Sequence, residues 1–203
     1  TRGFNLKIDS ASNMVIEKCW AVAEDGVCFK AKSTVGTTAS SGNIIKNCLA
    51  IGSENGSQDI GFDLGGDNMV NGKPQIKCYN CTAYGHSNAG FRATNTKIPG
   101  FYGGADVEVK NCISMDCGGI DFSYANTNGN GVVDTNNNLS SDNSSDDMSI
   151  FQGTTLAGHS LSQNSFSVFL NPSKNISIHT VPGSGVEVFP SGDFYIRSTS
   201  PAR

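Results

Sequence analysis

The chain has 203 residues, a formal net charge of −4 and only 16% charged residues. This length is enough for one domain with its own core. The weakly acidic charge argues against a nucleic-acid partner, which requires a basic surface, and no apolar run is long enough to span a membrane. Short alternating runs recur without sustained helical periodicity, and the 24 glycines suit turns. The sequence therefore predicts an all-β fold.

Four segments repeat about every 30 residues and align on a cysteine. The position three residues before this cysteine is Ile, Cys or Val, which predicts an inward strand position. The residue just before it is Asn in three of the segments, and Asn tolerates the left-handed conformation of a sharp turn. A small residue, Ala or Ser, recurs two positions after it and suits a tight interior. The segments are MVIEKCWAV (Cys19), NIIKNCLAI (Cys48), IKCYNCTAY (Cys81) and VEVKNCISM (Cys112).

Cys78 and Cys81 form a Cys-x-x-Cys spacing, which in isolation suggests a zinc knuckle or a redox pair. In the repeat register, Cys78 fills a core position that other segments fill with Ile or Val, and Cys81 belongs to the cysteine column. The spacing has no second pair and no matching histidines, so we predict buried thiols here. A local bridge between Cys112 and Cys117 stays open as an alternative.

A second repeat aligns on glycine in RGFNL, DIGFDL, NAGFRA and GGIDF, at Gly3, Gly61, Gly90 and Gly119. A period near 30 with two or three short strands predicts a parallel β-solenoid of about seven coils. Regular coils are expected over 1–122, and an irregular polar segment rich in Asn and Ser over 123–160. Residues 161–203 are expected to form a C-terminal capping segment of the same domain.

The outward position after the Gly-Phe step is occupied by Asn5, Asp63, Arg92 and Asp121 in this alignment. Such a column could bind a sugar polymer, with Arg92 pairing a uronate carboxylate. It could equally be a cross-coil ladder in which Arg92 lies between Asp63 and Asp121. Both interpretations stay open.

The order of the repeats resembles that of the family 9 polysaccharide lyases, the right-handed parallel β-helix pectate lyases, over roughly residues 1 to 145. The motifs shared in order are MVIEKCWAV, CFK, NIIKNCLAI, GFDLGG, KCYNCTAYG, GF and TNNNLSSD. The resemblance implies a right-handed β-helix and an extracellular protein. It also implies cleavage of acidic polygalacturonate by β-elimination, with calcium and a lysine base.

Lys30, in the motif CFK, lies where the family carries its base. Strand alternation predicts that Lys30 is on the outer face in phase with Cys28, while Val27 and Phe29 point inward. The resemblance therefore implies that Lys30 is the catalytic base.

The resemblance also implies a calcium site, and here the residues depart from the family pattern Asp-Asp-Gly-x-Asp. The matching ligand positions are Thr1, Arg2 and Asn5, none of which is a carboxylate. Calcium prefers several oxygen ligands, including carboxylates. Either the metal has moved, for instance to Glu24 and Asp25 beside Lys30, or catalysis has been lost.

Three functions remain open. The chain could be a polysaccharide lyase, a carbohydrate-binding solenoid without catalysis, or a structural protein. In the third case open solenoid ends, such as the one that begins at Thr1, would stack subunits into fibres. The predicted partners are accordingly an acidic polysaccharide or another glycan, or further copies of the chain.

Overall fold

The structure is a computed structural model that describes residues 2–7, 12–23, 25–33, 41–52, 58–67, 75–96, 106–118, 120–127, 133–136, 138–140, 169–171, 176–181, 185–190 and 193–196. These residues form strands and turns and contain no helix. In chain order the strands are β1 (Arg2–Lys7), β2 (Val15–Glu17), β3 (Trp20–Ala23), β4 (Val27–Ser33), β5 (Asn43–Lys46), β6 (Leu49–Gly52), β7 (Ile60–Asp67), β8 (Gln75–Tyr79), β9 (Thr82–Tyr84), β10 (Ala89–Thr96), β11 (Asp106–Lys110), β12 (Ile113–Met115), β13 (Ile120–Thr127), β14 (Val133–Asn136), β15 (Leu139–Ser140), β16 (Phe169–Asn171), β17 (Ile176–Val181), β18 (Gly185–Pro190) and β19 (Asp193–Ile196).

Three parallel sheets contain the first fifteen strands. The first sheet has the order β1-β4-β7-β10-β13, the second β14-β11-β8-β5-β2 and the third β15-β12-β9-β6-β3. Successive strands along the chain visit the second, third and first sheets in turn, which is consistent with a parallel β-solenoid. The all-β prediction is confirmed. Further along the chain, β16 pairs with β19 and β17 with β18, both antiparallel.

Sharp turns between the second and third sheets have left-handed backbone at the position just before each repeated cysteine. Asn47, Asn80 and Asn111 have φ angles of 55°, 52° and 54°, and Lys18 has 55°. Asparagine adopts this region more readily than other residues with a side chain, because its short amide can bond the local backbone. The predicted turn conformation is confirmed. Lys18 adopts the same left-handed conformation, although lysine has no such amide.

The cysteine column is buried from Cys48 onward, Cys19 is half-buried, and the buried thiols connect the coils. Cys48, Cys81 and Cys112 each donate to the carbonyl two residues earlier at 3.2, 3.3 and 3.3 Å. Each thiol also approaches a carbonyl of the preceding coil at 3.6 to 3.8 Å. Asn138 follows Cys112 in the column, and its amide accepts the Cys112 N–H and donates to the Val109 carbonyl, both at 2.9 Å.

The Cys-x-x-Cys spacing is divided between two columns, as predicted. Cys78 pairs in register with Ile45 on one side and Val109 on the other, at an inward position of the second sheet. Cys81 lies in the cysteine column, and all seven cysteines of the chain are free thiols. The Cys112–Cys117 bridge is therefore not formed.

Stacked phenylalanine rings run through the core along the first sheet. Neighbouring ring centroids are 4.6 to 5.1 Å apart and the rings are within 8° of parallel. Each ring pair contributes about 0.5–1.5 kcal/mol beyond its buried area. The rings are those of Phe4, Phe29, Phe62, Phe91 and Phe122.

The phenylalanine stack fixes a register that differs from the glycine alignment in the last coil. Phe122 pairs with Phe91, which places Asp121 at the level of Gly90. Gly119 is outside the described residues. The expected position of Asp121 beside Arg92 is therefore wrong by two residues, because ring stacking decides the register.

Lys18 offers a test of the turn geometry. We expect Lys18→Asn to stabilise the protein by about 0.5–1 kcal/mol, because Asn relieves a left-handed strain that the exposed lysine bears. Urea unfolding measures the change. Lys46→Asn makes the same chemical change on a strand and should not stabilise. A Lys18→Asn protein no more stable than the parent would contradict this account of the turn.

Candidate functional site

The first sheet presents one outward row that crosses its five strands. The register places Asn5 next to Lys30, Lys30 next to Asp63, Asp63 next to Arg92 and Arg92 next to Ser123. Residues paired across parallel strands extend their side chains from the same face of a sheet. We call these five residues the outward row. It places Lys30, the predicted base, next to Asp63 and Arg92, which the sequence analysis had assigned to one outward column.

Asp63 is the centre of an ion cluster in this row. Arg92 donates from Nε to Asp63 Oδ1 at 3.0 Å and from Nη2 to Oδ2 at 2.9 Å. Lys32 Nζ lies 3.1 Å from Oδ1. Side-chain exposure is 1% for Asp63, 10% for Lys32 and 32% for Arg92, so the carboxylate is buried beneath its cations.

The cluster carries an excess of positive charge. Lys30 adjoins Asp63 in the row, and Lys32 lies two residues further along the same strand. Among the described side chains at these positions, three cations therefore surround a single carboxylate. The described side chains around Asp63 thus concentrate positive charge in a chain whose net charge is −4. Such a cluster attracts anions, carboxylates in particular.

Lys32 is the partner that sequence reasoning missed. The signal for it was available, because residues i and i+2 of a strand share a face and Lys30 was already assigned to the outer one. The expected ladder is confirmed in part. Arg92 pairs with Asp63, but Ser123 and not Asp121 occupies the next position of the row.

Asp121 lies inside the protein instead. Its carboxylate accepts hydrogen bonds from Ser114 Oγ and Ser140 Oγ, each at 2.9 Å, and the residue is fully buried. The sequence placed it outward because the alignment used glycine. Alignment on Phe122, the residue that stacks on Phe91, would have found the correct register.

Cys28 also differs from expectation, since it does not share the outer face with Lys30. Both Cys28 and Phe29 are fully buried, and the Cys28 thiol donates to the Ala21 carbonyl at 3.4 Å. Burial raises the pKa of Cys28 to about 12. Regular alternation begins only at Phe29, so Phe29 and Ala31 are buried while Lys30 keeps its predicted outward position.

The described residues at the expected metal positions do not fit calcium. Asp25 is exposed, whereas Glu24 lies outside the described residues, as do Thr1 and the side chain of Arg2. Asn5 offers a neutral amide directly beside the Lys30 cation. Within the described part of the chain, no three potential ligands from His, Cys, Asp and Glu come together. Calcium requires several oxygens with negative charge, which this arrangement does not supply.

A second polar cluster lies in the interior. His86 and Asp59 are fully buried, and His86 Nδ1 lies 3.0 Å from Asp59 Oδ2. Asp59 Oδ1 accepts the Ser87 backbone N–H at 2.7 Å and also the Ser87 hydroxyl. Among the described residues, the buried His86 Nε2 has no hydrogen-bond partner. Since the Ser87 hydroxyl bonds to Asp59 and not to this nitrogen, the three residues do not form a nucleophile–base pair.

Asp59 is held as a carboxylate in this cluster. Burial raises its pKa, but hydrogen bonds from His86 and Ser87 outweigh burial, and the net pKa lies below the ordinary 3.8. A carboxyl whose pKa falls on folding stabilises the protein above the unfolded pKa. This contribution disappears as the pH falls through the folded pKa.

We therefore expect Asp59→Asn to destabilise the protein by about 2 kcal/mol near neutral pH and by progressively less as the pH falls through the folded pKa of Asp59, below which both states bind the proton. Urea unfolding over a series of pH values from neutral to acid measures this. Ser87→Ala removes one hydroxyl donor and should show the same trend with a smaller amplitude. A penalty independent of pH would contradict the assignment of an ionised Asp59.

No protein family, curated protein or solved structure was found to match the chain. The resemblance to family 9 lyases therefore stays a prediction based on the order of the motifs. In the described residues, no helix is long and apolar enough to cross a membrane.

Proposed function

We propose that this chain is an extracellular, polysaccharide-directed protein, built as a right-handed parallel β-helix of about seven coils and similar to the family 9 pectate lyases. The observation that carries the proposal is the outward row, in which Lys30, Asp63 and Arg92 adjoin on one parallel sheet. The row crosses the strands and presents cations along a line. A linear cationic site suits an extended acidic polymer better than a small molecule.

The proposed reaction is β-elimination at a uronate residue, with Lys30 as the base. Lys30 first loses its ammonium proton to water, and the resulting neutral amine removes the proton at C5, next to the sugar carboxylate. The electrons of that C–H bond form a C4–C5 double bond, and the bond from C4 to the glycosidic oxygen breaks. The departing oxygen takes a proton from water. Negative charge that builds up on the carboxylate side is stabilised by the adjacent cations Lys32 and Arg92.

A non-catalytic role is the second candidate, and one observation favours it. At the family's calcium positions Arg2 and Asn5 are not carboxylates, and Asp25 is the one described carboxylate at the alternative position, whereas Lys30, Asp63 and Arg92 adjoin in the outward row. A protein of this kind would bind an acidic glycan without cleaving it.

Polygalacturonate cleavage decides between these candidates. We expect unsaturated uronide, followed by ultraviolet absorbance, to be released by the parent chain, and its rate to fall roughly 100-fold or more in Lys30→Ala because the base is removed. Lys46 is a suitable control, since it pairs with Glu17 at 3.2 Å on the second sheet. Lys46→Ala should cleave at the parent rate.

Equal rates in Lys30→Ala and Lys46→Ala would show that Lys30 is not the base. Absence of product from a folded parent that still binds polygalacturonate would establish the non-catalytic candidate. Absence of both product and binding, over a range of pH and with or without calcium, would overturn the proposed function.

A further inference from the structure

We infer that Arg92, supported by Lys32 and Lys30, is a carboxylate-binding site that holds an acidic glycan without any metal ion. The inference rests on the proposed function and goes beyond it in one respect. It assigns to the protein's own cations the charge neutralisation that calcium supplies in the lyases that the chain resembles.

In the described part of the chain, Arg92 contacts a side chain through only one edge of its guanidinium, and the other edge fits a second carboxylate. Its guanidinium carries five N–H donors. Two of them, on Nε and Nη2, bind the two oxygens of Asp63 side-on. The other edge, formed by Nη1 and the second N–H of Nη2, points away from Asp63. Guanidinium binds carboxylates through two parallel hydrogen bonds, and with 32% of its side chain exposed Arg92 can offer this edge to solvent.

Burial of Asp63 makes the site attractive to anions. An incoming carboxylate meets the cations first, because Asp63 is 1% exposed and lies beneath Lys32 and Arg92. Asp63 also fixes the orientation of both cations before any ligand arrives. This preorganisation reduces the entropy lost on binding. The buried carboxylate therefore acts as a support for the site and not as a competitor of the ligand.

The same charges oppose a calcium ion. A divalent cation beside Asn5 would lie next to Lys30, which adjoins Asn5 in the outward row. Lys30 and the other cations of the cluster would repel the calcium ion. Several carboxylate ligands would be needed to overcome this repulsion, and the described residues around Asn5 do not supply them. A uronate carboxylate experiences the opposite field. The local electrostatics thus favour binding without metal.

The spacing of the row indicates a polymer as the ligand. Lys30 and Arg92 are separated by the strand that carries Asp63, so they lie two strand spacings apart, about 9.6 Å. Charges repeated along a polyanion can contact both positions at once. Simultaneous contact raises the affinity well above that of a single sugar acid. The expected ligand is therefore an oligomeric or polymeric uronate and not a monosaccharide.

Calorimetry with oligogalacturonate in chelator and in calcium tests the inference. We expect the affinity in chelator to equal that in calcium within about twofold, and Arg92→Gln to lower it roughly tenfold or more, since the charge-assisted pair with the ligand carboxylate is lost. Lys77, which pairs with Glu108 at 3.4 Å on the second sheet, provides the control. Lys77→Gln should change the affinity by less than about twofold, as expected for an exposed pair.

Two further measurements separate binding from folding. Arg92→Gln leaves Asp63 without its main partner, so the double variant Asp63→Asn with Arg92→Gln removes both charges together and should bind equally weakly while remaining folded. Methyl-esterified oligogalacturonate, which has the same sugar backbone without charge, should not bind the parent chain.

The outcomes are distinguishable. Binding that requires calcium would overturn the metal-free site and leave the proposed function intact. Unchanged affinity in both Arg92 variants, or equal binding of the esterified ligand, would likewise overturn the inference and locate the glycan elsewhere. Absence of binding in chelator and in calcium alike, together with absence of cleavage, would overturn both the inference and the proposed function.

Discussion

Stacking of like positions in successive coils is the constraint on which the rest of the structure depends. Each inward side chain must fit the side chain at the same position one coil away, because neighbouring parallel strands are only about 4.8 Å apart. Phe62 meets this requirement by packing its ring between Phe29 and Phe91, with centroids 4.9 and 4.6 Å away. A column of rings tolerates little slippage, so it determines which outward residues become neighbours.

The outward row is a consequence of that inward register. Lys30, Asp63 and Arg92 each follow a stacked phenylalanine by one residue, and each therefore emerges at the same level of the sheet. The chain gains an ion cluster by placing a single carboxylate between cations at this level. Packing in the core and charge on the surface are thus set by the same alignment of coils.

Much of the fold could be predicted from the sequence because like residues stack. Asn47, Asn80 and Asn111 marked the turns, and the cysteine column gave the correct register of the second and third sheets. The error at Asp121 arose where glycine and phenylalanine gave different alignments. Glycine contributes little packing energy, whereas a buried aromatic ring contributes a great deal, so the ring decides.

Side-chain pairings were harder to foresee than strand positions. The contact between His86 and Asp59 joins residues of different coils at a turn, where the strand periodicity that guided the prediction does not apply. Lys32 was missed because its position on the outer face does not by itself show that it reaches Asp63. Periodicity predicts the face of a residue, and only the rotamers determine its partner.

The three buried aspartates show why the outer face, and not the interior, is the candidate site. Asp59 accepts hydrogen bonds from His86 and Ser87, and Asp121 accepts them from two serine hydroxyls. Both belong to the interior, where the hydrogen bonds offset the cost of burying a charge. Asp63 is instead bound by a lysine and an arginine that reach solvent. A buried carboxylate that orients solvent-facing cations stabilises the coils and also displays positive charge outward. The interaction that holds these coils together is therefore also the one on which the proposed glycan site depends.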